Sequence, residues 1–213
     1  MQIFNPFVSK KKFKIISQIG FFTSIISNLI FIGILIYVHI LSINGAYPWY
    51  EWELSELVLN GDPSKFLFDI AIIINGLGLI CTTLPLTFFF PEKKIRIVYL
   101  VMVSVVILSL IGVGAFPEDD FNTIHYVVGV IFFLSASVLI CYISTILLLK
   151  MKEVPLFYAI FGYITTAILV FHLTTRFFFG MAYTQRLAVL FSIIFLLTLS
   201  GYFVFGNENK VAE

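Results

Sequence analysis

Apolar residues run almost without interruption through six stretches of the chain, at about 15–41, 66–90, 95–116, 123–149, 155–179 and 187–206. Segments such as 67–80 and 157–170 are continuously apolar, whereas strands of a membrane barrel would alternate over about ten residues. In helical form, at 1.5 Å per residue, a hydrocarbon layer of about 30 Å takes roughly 20 residues to cross, and each stretch is long enough. The pattern predicts an all-α fold, a polytopic membrane helix bundle of six transmembrane helices forming a single domain over residues 1–213.

Composition strengthens that picture. Hydrophobic residues make up 60% of the chain and charged residues 12%, about half the share of roughly 25% found in soluble domains. With a mean hydropathy of +1.05, the chain lacks the polar side chains to cover its own surface in water. A soluble enzyme, a disordered protein and a DNA-binding module are thereby excluded, and a formal charge of +1 leaves no basic footprint for nucleic acid.

The charges gather between the apolar stretches, and their signs are unevenly shared. With both termini on one side, that side holds Lys10, Lys11, Lys12, Lys14, Lys93, Lys94, Arg96, Lys150, Lys152 and Lys210. The other side has only Lys65, Arg176 and Arg186 of the 13 basic residues, with Glu51, Glu53, Glu56, Asp62, Asp69, Glu118, Asp119 and Asp120. Basic residues concentrate in short cytoplasmic loops, so the expected protein is a multi-pass component of the cell membrane with both termini cytoplasmic and an acidic outer face. The apolar run after Met1–Lys14 exceeds the roughly 7–15 residues of a signal peptide, so the first helix is expected to stay as an anchor. The one long connection, 42–65, contains Tyr47-Pro-Trp-Tyr-Glu-Trp and reads as an aromatic segment lying at the outer interface.

Inside an apolar bundle the few polar residues carry the information. At 100° per residue, Asn28 and His39 share a face of the first helix with Ser24 a turn away. Asp69, Gly76 and Thr83 form a stripe on the second, and Thr165, His172 and Arg176 align on the fifth. Such seams turn toward a bundle interior or a watery cavity. All three histidines, His39, His125 and His172, fall near the outer ends of their helices, beside Asp69, Asp119, Arg176 and Arg186. Plainer roles stand beside these. Asp119 and Asp120 suit the start of the fourth helix as caps, and Asn28, Asn75, Gly76 and Gly78 suit helix packing. Pro85 suits a kink, and Cys81 and Cys141 suit buried thiols.

Several membrane chemistries lack their marks here. There is no G-x-S-x-G, no H-x-x-x-H, no C-x-x-C, no phosphate-binding loop and no dinucleotide fingerprint. A zinc site built from His39, His125 and His172 with Asp69 or Asp119, a haem held by two of the histidines, and no cofactor at all remain open. The favoured expectation is an outward-facing polar pocket for a small polar ligand, an ion or a lipid headgroup. Its candidate ligand-binding residues are Asp69, Asp119, His125, His172, Arg176 and Arg186, the arginines for an anionic group. The alternatives are an accessory membrane subunit whose outer end docks a membrane-protein partner, and an intramembrane enzyme acting on lipid with His125 or His172 as base.

Three segments carry a resemblance. Leu54-Ser-Glu-Leu followed by Phe66-Leu-Phe-Asp-Ile-Ala-Ile-Ile-Ile-Asn-Gly, then Gly112-Val-Gly-Ala-Phe-Pro-Glu-Asp with His125 shortly after, and finally Gln185-Arg-Leu resemble the family called domain of unknown function 998 (DUF998). The resemblance spans the chain and implies six helices with both ends inside, but no established reaction. It maps the family's polar points onto Ser55, Asp69, Pro117, Asp119, His125 and Arg186. Two positions depart from it: Gln185 replaces an acid, and Asp69 stands where an amide is commoner.

Overall fold

A computed structural model describes residues 10–43, 64–179 and 183–206. Among them are six helices: α1 (Lys10–Ile43), α2 (Ser64–Leu86), α3 (Lys93–Ala115), α4 (Glu118–Lys150), α5 (Leu156–Phe179) and α6 (Tyr183–Phe205). All six are long and apolar enough to cross a membrane, and no strand occurs among the described residues. The aromatic stretch 47–52 lies outside the described residues.

The helices pack in chain order, each on the next, and α6 returns to α1 and α2. Side-chain pairs set the antiparallel register of the first hairpin. The Asn75 Nδ2 donates to Asn28 Oδ1 at 3.0 Å, and seven residues further along α2, Thr82 meets the Ser24 hydroxyl. Small residues let these helices approach closely. A Cβ at Gly78 would occupy the space of the Ser27 side chain, and one at Gly20 would run into the Cys81 carbonyl oxygen. At the end of the bundle that carries the termini, the Tyr99 hydroxyl donates to the Thr83 carbonyl at 2.9 Å. There too Lys150 pairs with Glu92 at 3.2 Å, both about half exposed, a pairing that contributes little on its own.

The helix bounds depart from the apolar pattern where backbone chemistry overrides it. Pro85 has no N–H to give the Cys81 carbonyl, and α2 ends at Leu86 in a 3₁₀ turn, Thr87–Phe89, instead of running to residue 90. Both α4 and α6 begin about one turn earlier than expected, at Glu118 and Tyr183, because hydropathy marks only the lipid-soluble part of a helix.

The packed interior centres on Tyr99, Phe195, Leu139, Ile140, Ile143 and Leu199, all under 3% exposed. The outward surface is apolar too, with Leu29, Leu108, Leu149 and Phe157 each more than 60% exposed. An aqueous protein would not leave such rows bare; hydrocarbon covers them without penalty.

Candidate functional site: a cavity shared by six helices

Most hydroxyls in the bundle have no role beyond their own helix. Ser104, Ser137, Ser144, Thr165 and Thr166 each donate to a carbonyl four residues back, at 2.7–2.9 Å, the usual way a helix in lipid satisfies such groups. What they leave is a short set of polar side chains around one cavity of about 250 Å³.

Every helix contributes to its wall: Ser24, Asn28 and Phe31 from α1, Phe68 to Thr82 from α2, Val106 to Val113 from α3, Glu118 to Ile140 from α4, Leu169 to Arg176 from α5 and Gln185 to Leu197 from α6. Glu118, Asn122, His125, Tyr126, His172, Arg176 and Gln185 line the end farther from the termini. The middle is apolar, and Ser24, Asn28, Asn75 and Thr82 form a second polar strip deeper on the α1–α2 side.

Local structure at the turn between α3 and α4 aims the first histidine. Pro117 occupies the N-cap position of α4 with extended backbone and offers it no side-chain cap. Phe121 has φ −136° and ψ 41°, which sets the first turn at an angle to the rest of α4. His125, one turn past this kink and 9% exposed, reaches back with Nδ1 to the Phe116 carbonyl at 2.8 Å. A carbonyl oxygen only accepts, so Nδ1 carries the proton. Nε2 then faces Glu118 Oε2 at 3.9 Å, and that oxygen has no hydrogen-bond partner.

The second histidine is held in the same tautomer by a relay. The Thr175 hydroxyl donates to the Phe171 carbonyl at 2.8 Å, so at 3.1 Å it accepts from Thr184. Thr184 has then given its one proton and accepts from His172 Nδ1 at 2.9 Å. The ring, 2% exposed, stands edge-on to Phe133 with centroids 4.5 Å apart. Each cavity imidazole therefore has its Nδ1–H engaged, and in the neutral ring Nε2 is the remaining acceptor.

Of the residues expected at a site, His125, His172 and Arg176 line this cavity, and Asp69 and Arg186 are not part of the lining. The stripe Asp69–Gly76–Thr83 runs along the α3 side of α2. A Cβ at Gly76 would press on Ile111, and one at Gly114 would come within 2.7 Å of the Asp69 carbonyl oxygen. The cavity face of α2 is the neighbouring one, Phe68, Ile72, Asn75, Leu79 and Thr82. The side chains of Asp119 and His39 are not described. Among the described residues no three His, Cys, Asp or Glu side chains gather as a metal centre would require. Sequence reasoning missed Glu118, Asn122 and Gln185 as lining residues, although Glu118 and Gln185 stand within the segments that carry the family resemblance.

The family described as protein of unknown function (DUF998) matches residues 25–202, a stretch that includes every cavity-lining residue but Ser24. Neither a curated protein nor a solved structure matches the chain.

Proposed function

The chain belongs to the DUF998 family, and on that premise we propose that it is a membrane-embedded binding protein whose cavity takes a small polar ligand, an ion or a lipid headgroup at the end remote from the termini. The observation that carries this reading is the convergence of His125, His172, Arg176 and Gln185, from three helices, on one cavity. Structural polar residues in a bundle are consumed by neighbouring carbonyls, as Ser137 and Thr165 are. Here two imidazoles have Nδ1–H held from behind and keep Nε2 in reserve, the arrangement that in the neutral ring prepares a histidine to meet a proton, a donor or a cation. Buried ionisable groups in a membrane interior are expensive and mark functional paths.

The excess of basic residues beside the termini supports cytoplasmic ends, which turns the polar end of the cavity outward. Single-cysteine variants Asn122→Cys and Gln185→Cys, in a background without Cys81 and Cys141, test this in sealed vesicles of known sidedness. A membrane-impermeant maleimide is expected to modify both from the outside medium and neither from the cytoplasmic side. Positions sealed from outside would overturn the reading.

A further inference from the structure

We propose that the occupant is an amphiphile with one hydrocarbon chain and a hydroxyl-bearing head, of the monoacylglycerol kind. This rests on the reading that the polar end of the cavity binds a ligand, and it follows from shape and from hydrogen-bond inventory.

Along α2 the lining extends from Phe68 to Thr82, about 21 Å at 1.5 Å per residue. A volume of about 250 Å³ open to the centres of water-sized spheres, spread over that length, gives a mean cross-section of about 12 Å², about 4 Å across; with a water radius of about 1.4 Å added on each side the shaft is about 7 Å wide, room for one aliphatic chain in contact with its walls. Two chains side by side do not fit. Below the polar end the walls are Leu110, Phe132, Phe133, Val189 and Ile193, which offer a chain apolar contact and offer a hydrated ion nothing.

The head follows from what the polar end lacks. His125 and His172 have committed their Nδ1 protons to Phe116 and Thr184, so as neutral imidazoles both present Nε2 as an acceptor, and the Glu118 carboxylate beside His125 is a third. A group that donates hydrogen bonds satisfies all three; an ester or ether head satisfies none. Hydroxyls also accept, which suits Arg176 and Gln185 on the same wall.

Two glycines supply a matched test. Gly129 lines the cavity, and a Cβ there meets nothing within 4 Å; Gly33 is equally open but lies exposed on α1, away from the cavity. In lipid nanodiscs, equilibrium binding of radiolabelled monolauroylglycerol to wild type, Gly129→Leu, Gly33→Leu and His125→Asn would be measured, with glycerol and methyl laurate as head-only and donor-free probes. Monolauroylglycerol is expected to bind saturably at one per protein, and methyl laurate about tenfold or more weakly, because unpaired polar groups reject an analogue lacking the hydroxyl. Gly129→Leu is expected to lose at least as much, and Gly33→Leu to match wild type. If His125→Asn weakens binding while Gly129→Leu does not, the polar site stands and the single-chain occupant is wrong. Equal binding of methyl laurate, or equal losses at Gly129 and Gly33, would also overturn the proposal. If neither monolauroylglycerol nor glycerol binds, this proposal falls, and the outside labelling of Asn122→Cys and Gln185→Cys decides the reading of the polar end separately.

Discussion

The ring of His125 joins two tasks that substitution separates. Its Nδ1 ties the turn between α3 and α4 to the Phe116 carbonyl, and its Nε2 looks toward Glu118. An asparagine can place its Nδ2 near the position of Nδ1 but has nothing at Nε2. His125→Asn is therefore expected to keep most of the wild-type thermal stability in detergent, whereas His125→Ala, which strands a buried carbonyl, loses about 1–3 kcal/mol. Comparable melting temperatures for the two variants would show that the turn does not depend on this bond. At this scale the sequence was legible where rarity made it so. His125, His172 and Arg176 stand out because ionisable groups are scarce among apolar residues. Gln185 did not, because an amide beside a loop looks like solvated surface until α5 and α6 are seen to close over it.

Helices gave up their number and order readily, since each is an apolar run of the length a bilayer demands. Their facing did not. The seven-residue repeat of Asp69, Gly76 and Thr83 says that these residues share a stripe, but not which neighbour the stripe meets; packing turned it to α3 and left Asn75 and Thr82 to the cavity. The same limit hid the role of Gly20. A methyl group there meets the Cys81 carbonyl oxygen, backbone that cannot rotate aside, where Pro85 has already withdrawn the usual donor. Gly20→Ala is expected to cost about 1–3 kcal/mol through forced separation of α1 and α2. Gly33→Ala, with open space around it, should instead gain up to about 1 kcal/mol of helix propensity. Unfolding of both variants in mixed micelles with increasing SDS would read the opposite signs.

For the molecule as a whole, the charge asymmetry makes a prediction independent of the cavity. Green fluorescent protein fused after Glu213 is expected to fluoresce, and alkaline phosphatase inserted between α5 and α6 to be active, because the first folds in the cytoplasm and the second only outside it. The reverse pattern would invert the protein in its membrane and turn the polar end of the cavity inward. The packing order holds a further consequence. Since the cavity takes part of its wall from each helix, a molecule lodged there is a rivet through the entire assembly, and no helix can leave without breaking its grip. Occupancy at a hundred times the dissociation constant adds about 2.7 kcal/mol to the resistance against unfolding, so heat alone can serve as the assay. A compound library screened for upward shifts in melting temperature would pick out the natural occupant without any prior guess at its chemistry.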